Sequence, residues 1–378
     1  MSRAGTRRAA RWPEDLAATA IASPEQARDA AGERLSRLVR QARSAGLLGR
    51  IGATMLAGGG LVPAAATAAA RGHIEAALRV TRAQQAEIRR ELGFIGRALA
   101  GLGAPIVVLK GAAYVAAGLP AAAGRVFSDV DIMVPRQVIA DAESRLMQAG
   151  WMTTHHDAYD QRYYRQWMHE LPPMAHVHRH TVLDVHHTIV PQTARLRPDA
   201  TKLFAAIVAL PGLDGMYVLG PPDMVLHGVT HLFCNDDMSH ALRDLSDFDL
   251  LLRHFSSPDE GFWSRLAARA HELGLARPLY YGLRYAGRLL GTPIPAAAYA
   301  AVAGAAPPAA LRALMDAIWL RALRSPDPEA APAGRSLALA ALYLRGHWLR
   351  MPAGLLLHHL TIKALARRRH SADAARQP

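Results

Sequence analysis

Two short β-branched segments interrupt a sequence that otherwise has the pattern of helices, and they restrict the folds open to this chain more than any other feature. Residues 105–109 are Pro-Ile-Val-Val-Leu, and residues 128–134 are Ser-Asp-Val-Asp-Ile-Met-Val. Short apolar runs bounded by Gly or Pro are typical of buried strands. The chain is therefore expected to contain a small sheet within a largely helical protein.

The elements around these two strands predict an α+β fold. Helices are expected over residues 112–117 and 137–149, one after each strand. A third strand is expected at residues 151–155, followed by a hairpin over residues 176–190 that turns near residues 179–181. The order strand, helix, strand, helix and then several strands is typical of a small mixed sheet.

Helical patterns flank this sheet on both sides. Residues 64–102 repeat apolar side chains at three- and four-residue spacing, which predicts one long helix. The helical pattern resumes near residue 221, and Pro352 is expected to break the last helix. We therefore divide the chain into three segments: an N-terminal helical region with a basic tail (1–103), a mixed-sheet core (104–220) and a C-terminal helical region with a basic tail (221–378).

The composition narrows the class of protein. Hydrophobic residues make up 51% of the chain, which argues against overall disorder. The formal net charge is +13, but the densest basic clusters, at residues 7–11 and 367–369, fall in the tails. Solvated tails explain such clusters, so charge alone does not predict nucleic-acid binding. The single cysteine, Cys234, excludes an internal disulfide framework and any zinc site made of several cysteines.

Neither a secretory signal nor a membrane span is expected. The first residues are basic but lack the apolar run of a signal peptide. The most apolar early stretch, residues 51–70, contains three consecutive glycines and Pro63, which suit a membrane-spanning helix poorly. We expect a cytoplasmic protein without membrane insertion.

The strongest chemical signal is an Asp-x-Asp pair. Side chains alternate along a strand, so Asp129 and Asp131 are expected to share one face with Cα atoms roughly 6–7 Å apart. Carboxylates so placed repel each other unless a cation binds both, and oxygen ligands suit Mg²⁺ or Mn²⁺. The alternative is a strand end that carries two solvated aspartates.

The neighbouring residues favour the cation. Lys110, one of only three lysines, lies between an apolar strand and Gly111. A glycine lets a ligand approach the backbone closely, and a lysine adds positive charge for a phosphate. Arg125 is a second candidate phosphate ligand. In residues 182–187, Asp184 and His186 share a strand face; if this strand lies beside Asp129, Asp184 completes a three-carboxylate site able to hold two metal ions.

These motifs together resemble the uncharacterised nucleotidyltransferase family of the polymerase-β-like superfamily. The resemblance is carried by Leu-Lys-Gly at residues 109–111, by Gly-Arg at 124–125 before Asp-Val-Asp at 129–131, and by Leu-Asp-Val-His at 183–186. It extends over roughly residues 60–255 and includes Leu-His-Gly-Val-Thr-His at 226–231. The tails and the last third of the chain match weakly.

The resemblance implies transfer of a nucleoside monophosphate from an NTP to a hydroxyl-bearing acceptor. It implies that Mg²⁺ or Mn²⁺ is held by Asp129, Asp131 and Asp184, with Asp184 as the partner of the acceptor hydroxyl. It also implies that Lys110, Gly111, Arg125 and Ser128 bind the phosphates. His186 is implied as an accessory residue of the site. One departure from the wider superfamily is Ala112, which stands where a serine usually follows the glycine.

The acceptor is not named by the sequence. A small molecule or peptide is favoured, and RNA is kept open by the basic tails. Two alternatives to an active transferase remain: a catalytically silent nucleotide-binding or regulatory module, and a histidine-metal protein or phosphohydrolase.

We expect replacing Asp129 or Asp131 by alanine to abolish turnover without harming the fold, because it removes one of two repelling carboxylates.

The histidines support the last alternative. His176, His178 and His180 alternate in a strand-like segment, and with His186 or His187, or with residues 155–156, they form a candidate transition-metal site. A half-exposed strand with polar residues explains the same pattern. The histidines at 227 and 231 lie four apart on a helix and are expected to pack against the core, and residues 243 and 247 are expected to form an Arg–Asp pair on the next helix.

Overall fold

A computed structural model describes residues 15–57, 68–154, 157–327 and 333–356, and it confirms the α+β fold. In chain order, the strands of a seven-stranded mixed sheet come between two groups of helices in this part of the chain. The basic tail clusters, the triple glycine with Pro63, and the histidines at 155 and 156 lie outside the described residues. No helix within the described ranges is both long enough and apolar enough to cross a membrane.

The first segment is helical, as expected. Its helices are α1 Leu16–Ala22, α2 Pro24–Arg28, α3 Gly32–Ser44, α4 Leu48–Ala57 and α5 Ala68–Ala98. The predicted long helix is α5, which buries an apolar stripe that includes Ile74, Leu78, Leu92 and Ile95. Such a stripe at three- and four-residue spacing packs a helix against a core.

The sheet is built entirely from residues 106–219. In chain order its elements are β1 Ile106–Val108, α6 Lys110–Ala116, β2 Val130–Met133, α7 Ile139–Gln148, β3 Trp151–Thr153, α8 Ala158–Trp167, β4 Met174–His176, β5 Val182–His186, α9 Ala200–Phe204, β6 Ile207–Ala209 and β7 Met216–Leu219. The strands lie in the order β3-β4-β5-β2-β1-β7-β6.

The strands predicted from the two β-branched segments, β1 and β2, lie next to each other near the centre of this sheet. β2 runs antiparallel to β1 and parallel to β5, and β1 runs parallel to β7. Every residue of β1 and β2 is buried. Strands covered on both faces have a continuous apolar sequence instead of an alternating one, which explains the pattern of residues 105–109.

The hairpin that precedes β5 differs from its prediction. β4 and β5 do pair antiparallel, but β4 ends at His176, and residues 177–179 form the turn. His180 has a φ of 59°, in the left-handed region, so residues 176–180 do not alternate as a strand. The expected face shared by His176, His178 and His180 is therefore wrong.

The third segment is again helical. Its helices are α10 Pro221–Cys234, α11 Ala241–Ser256, α12 Phe262–Glu272, α13 Ala276–Leu289, α14 Ala296–Ala301, α15 Ala309–Ala322 and α16 Arg335–Arg350. α16 ends two residues before Pro352, as expected. One continuous hydrophobic cluster runs through all three segments, from Leu16 to Leu342. The boundaries at residues 103 and 220 stay a proposal.

Candidate active site

The pairing of β2 with β5 brings two carboxylates side by side. Asp131 and Asp184 are directly opposite partners in this parallel pair, and His186 lies two residues further along β5. Alternation of side chains puts all three on one face of the sheet. Their ligand atoms all lie within 4.8 Å of one another. The predicted neighbourhood of Asp184 and the Asp-x-Asp strand is thus present.

Asp131 is a buried carboxylate with two cationic or polar partners. Its Oδ1 accepts hydrogen bonds from Lys110 Nζ at 2.8 Å and from His186 Nε2 at 2.9 Å. Burial alone raises the pKa of Asp131, but Lys110 and His186 outweigh it and hold that pKa well below its usual range. Burial lowers the pKa of Lys110, and the charge of Asp131 more than reverses this.

This ion pair changes what removing Asp131 is expected to do. The sequence suggested a carboxylate that is repelled by Asp129. Instead, Asp131 compensates the charge of Lys110, whose side chain is only 22% exposed. Removing one partner of such a pair leaves an uncompensated charge in a poorly solvated place. An alanine at position 131 is therefore expected to destabilise the fold.

Asp184 has the opposite electrostatic environment. Burial and then the nearby charge of Asp131 raise the pKa of Asp184 to about 7. Its Oδ1 is buried and has no hydrogen-bond partner among the described residues. An unpartnered buried carboxylate oxygen is costly, and a bound cation removes that cost. Two carboxylates and an imidazole form a donor set that suits Mn²⁺ and, through the oxygens, Mg²⁺.

Asp129 lies apart from this group. It precedes β2, is half-buried, and accepts a hydrogen bond from Ser128 Oγ at 2.9 Å. It belongs to neither of the sets of potential metal ligands that lie within 4.8 Å of one another in the described part of the chain. The structure thus brings Asp131, Asp184 and His186 together. Asp129 lies outside this group, just before the start of β2.

A cleft between the sheet and the third segment is lined by most of the predicted site residues. Another wall is made by α10, by Asn235 directly after it and by α11, and it includes His231 and Arg243. Lys110 begins α6 with a φ of 46°, a conformation that is uncommon for a residue with a side chain and that often marks functional sites. Six predicted site residues line the cleft: Lys110, Gly111, Arg125, Ser128, Asp129 and Asp131.

Arg125 lines this cleft but is held in a buried ion-pair network. Its Nε donates to Asp247 Oδ2 at 2.8 Å, and Arg50 Nη2 lies 2.7 Å from Asp247 Oδ1 without hydrogen-bond geometry. The expected pairing of Asp247 with Arg243 is wrong, because Arg243 Nε bonds to Asp244 instead. Phosphate binding by Arg125 stays a prediction.

Sequence reasoning missed two residues beside His186. Glu170 forms an isolated bridge with His186, and its Oε2 lies 3.1 Å from His186 Nδ1 without hydrogen-bond geometry. His169, Glu170 and His186 form a second set of potential metal ligands within 4.8 Å. The segment before β4 has no strand pattern, so only the adjacent His-Glu pair in the sequence could have drawn attention to it.

Two other histidines, His176 and His227, have structural roles. His176 packs edge-on against Trp151 with ring centroids 4.9 Å apart, and its Nδ1 accepts from the backbone N–H groups of His178 and Arg179. His227 is buried on α10, as expected, and burial lowers its pKa to about 3. These histidines therefore do not form the metal cluster considered from the sequence.

Comparison with known proteins agrees with the motifs. A family model described as an uncharacterised nucleotidyltransferase matches residues 32–291, which is more than half of the chain and extends beyond the resemblance seen in the motifs. No curated protein matches the chain. No solved structure matches it either. From the extent of the family match, the chain belongs to the uncharacterised nucleotidyltransferase family.

Proposed function

We propose that this protein transfers a nucleoside monophosphate from an NTP to the hydroxyl group of an acceptor, in a reaction that depends on Mg²⁺ or Mn²⁺. One observation carries the proposal: Asp131 and Asp184 are paired on adjacent parallel strands, with His186 within 4.8 Å, beside a cleft that Lys110 lines. Membership of the family supports nucleotidyl transfer in general.

The described residues suit the separate tasks of this reaction. Asp131, Asp184 and, further along the wall, Asp129 would hold the divalent cation, which supplies charge for the triphosphate and activates the attacking oxygen. Lys110 lies 2.8 Å from Asp131 and offsets charge on the phosphates. Gly111, Ser128 and Arg125 line the same cleft and complete the proposed phosphate-binding wall.

Asp184 is the proposed proton acceptor. The acceptor oxygen forms a bond to the α-phosphorus as the bond from that phosphorus to the bridging oxygen breaks, and pyrophosphate leaves. The hydroxyl proton passes to Asp184, whose Oδ1 makes no hydrogen bond within the described ranges. His186 orients Asp131 through its 2.9 Å hydrogen bond.

Calorimetric titration of the full chain with each of the four NTPs tests the proposal, in Mg²⁺ and again in EDTA. We expect metal-dependent binding to wild type that is weaker by about 10-fold or more in Asp131→Asn. Lys110→Met removes the cation that faces the phosphates and is expected to lower turnover by about 100-fold. Because Lys110→Met leaves Asp131 with His186 but without its lysine partner, the double variant Lys110→Met/Asp131→Asn shows whether the fold survives without either charge.

A matched control is Asp141→Asn on the exposed face of α7, which is expected to bind the NTPs as wild type does. Turnover is followed by pyrophosphate release coupled to labelling of an added acceptor. Absence of NTP binding to wild type with either metal, or full binding by Asp131→Asn, would contradict the proposed site. If the protein binds NTPs but releases no pyrophosphate in the presence of any acceptor, the catalytically silent module is favoured.

A second candidate function is favoured by His169, Glu170 and His186. Their ligand atoms meet the distance requirement for a transition-metal site, and His169 Nδ1 is buried without a partner among the described residues. A histidine-metal phosphohydrolase would retain zinc through dialysis and would not respond to NTPs. Metal analysis of the purified protein, before and after Glu170→Gln, distinguishes it from the transferase.

A further inference from the structure

Half of the large apolar side chains that are exposed in the described part of the chain lie on two consecutive helices, α15 and α16. These side chains are Leu311, Leu314, Leu337, Tyr343, Leu344 and Trp348. The two helices pack against each other. Single exposed apolar side chains are normal on a protein surface, but a group of them is typical of an interaction site.

The helix α16 is apolar on two opposite sides. On one side, residues 338, 342 and 346 follow each other at four-residue spacing and are buried against the rest of the protein. On the other side, Leu337, Leu344 and Trp348 lie seven and then four residues apart, which places them in one exposed line. We call these three residues the α16 ridge, because Leu337 is 77% exposed and Leu344 is 64% exposed. Side chains that protrude this far do not line a groove.

The ridge is long enough to lie along a flat partner. Eleven residues separate its ends, which corresponds to about 16 Å of helix. A surface helix normally has polar residues on the side that faces away from the core. The ridge departs from this pattern, so we expect a partner with an apolar layer to cover it.

Positive charge accompanies the ridge. The helix α16 contains three arginines and no Asp or Glu. The guanidinium carbon of Arg195 lies 3.7 Å from the centre of the Trp348 ring, and Arg195 Nε donates to the Trp348 carbonyl oxygen. Arg195 is exposed and contacts no carboxylate within the described ranges. Further along the sequence, residues 357–378 add five Lys or Arg and a single Asp.

This charge separates the possible partners. A second copy of the chain laid along the ridge would bring two positively charged helices together, and like charges at an interface are unfavourable. The basic C-terminal residues of the same chain meet the same objection. A nucleic acid supplies negative charge but no apolar layer for two leucines. An anionic bilayer supplies both, because its head groups attract Lys and Arg and its interface takes up Leu and Trp side chains.

We propose that the α16 ridge is a docking surface for an anionic phospholipid bilayer, on which the protein lies without crossing it. The three ridge side chains enter the interface between the head groups and the hydrocarbon. Arg195 holds the Trp348 ring and faces the phosphates of the lipids. The inference goes beyond the proposed transfer reaction and does not depend on it.

Sedimentation of the full chain with lipid vesicles tests the inference. We expect binding to vesicles of phosphatidylcholine with about 30% phosphatidylglycerol, and binding at least about 10-fold weaker to phosphatidylcholine alone. Leu337→Ser/Leu344→Ser removes the two most exposed apolar side chains and should weaken binding to the anionic vesicles by about 10-fold or more. Arg195→Gln removes one cation at the surface and should weaken it by about 3- to 10-fold.

The matched control is Val80→Ser/Met147→Ser, which removes two exposed apolar side chains of α5 and α7 and should bind the anionic vesicles as wild type does. Circular dichroism verifies that each variant keeps its helices. The inference is overturned if wild type binds neither kind of vesicle, if it binds both equally, or if the leucine variant binds as wild type does.

Two further measurements address the other partners. Light scattering after size-exclusion chromatography gives the oligomeric state of wild type and of the leucine variant. A wild-type dimer that the leucine substitutions dissociate would overturn the inference, because a second copy would then cover the ridge. Leucine substitutions that weaken binding of a single-stranded RNA oligonucleotide, and leave vesicle binding unchanged, would overturn it as well.

Discussion

At the scale of single residues, Gly111 is explained by packing as well as by ligand access. A Cβ at this position would lie 2.9 Å from Phe127 Cδ1 and closer still to the guanidinium of Arg125. That guanidinium cannot move freely, because Asp247 holds it and the rings of Tyr114 and Phe127 flank it. The glycine is therefore needed for the ion pair that lines the cleft.

This packing gives the first prediction. Gly111→Ala is expected to lower the free energy of unfolding by about 1–3 kcal/mol, the usual cost of overpacking a buried site. Chemical denaturation measures the change. The control is Gly72→Ala on the exposed side of α5, where a Cβ meets nothing within 4 Å, and where we expect a gain of about 0.5–1 kcal/mol. Equal effects at both positions would contradict the packing argument.

Individual site residues could be predicted from the sequence when a strand pattern put them in register. Asp131, Asp184 and His186 follow from alternation along two short strands, and the structure brings them together. His169 and Glu170 could not be predicted, because their position beside His186 depends on an irregular segment that extends the β4–β5 pairing. The partner of Arg125 was also hidden, since Asp247 is 122 residues away along the chain.

At the scale of elements, the β2–β5 pair sets the electrostatics of the site. Parallel pairing places Asp131 and Asp184 opposite each other, and only Asp131 receives Lys110 as a partner. Two adjacent carboxylates do not ionise equally when one of them is compensated and the other is not. The proton therefore stays longest on Asp184, whose pKa is about 7.

The second prediction follows from this proton. Between the ordinary pKa of 3.8 and about 7, Asp184 is protonated in the folded protein and ionised in the unfolded chain. The folded state then binds more protons, so the contribution of this group to stability falls as pH rises through that window. We expect the melting temperature of metal-free wild type to fall relative to Asp184→Asn over the same range.

Added Mg²⁺ is expected to raise the wild-type melting temperature most above pH 7, because a cation favours the ionised form of Asp184. Differential scanning fluorimetry of the two proteins across this range, with and without Mg²⁺, gives the comparison. All other titrating groups are shared by wild type and Asp184→Asn, so the difference between the two melting temperatures reports on Asp184. If wild type and variant keep a constant difference at every pH, the raised pKa is refuted.

The elements themselves could be predicted where the sequence has a clear period. The long helix α5 and the strands β1 and β2 are found where their apolar patterns place them. β6 and β7 were missed, because they are three- and four-residue strands that depend on pairing with each other and with β1. The His176–His180 segment was misassigned, because alternating polar residues in a turn imitate a half-exposed strand.

At the scale of the whole molecule, one carboxylate links the three segments of the chain. Asp247 on α11 in the third segment contacts Arg50 on α4 in the first segment and Arg125 in the sheet segment. The side chains of Asp247 and Arg50 are 6% and 4% exposed. The charges of the two arginines hold the pKa of Asp247 below its ordinary value against the effect of burial. The cleft lies beside this junction, because Asp247 and Arg125 both line it.

Removing this carboxylate gives the last prediction. Asp247→Asn leaves two buried guanidinium groups without their shared counter-ion, which is expected to cost about 3–5 kcal/mol of unfolding free energy. The exposed pair of Asp259 with Arg265 provides the control, since Asp259→Asn is expected to leave the unfolding free energy close to that of wild type. Urea denaturation followed by tryptophan fluorescence measures both. A junction that joins the segments predicts one cooperative transition in wild type and a weakened or split transition in Asp247→Asn. A variant as stable as wild type would show that the hydrophobic cluster alone holds the three segments together.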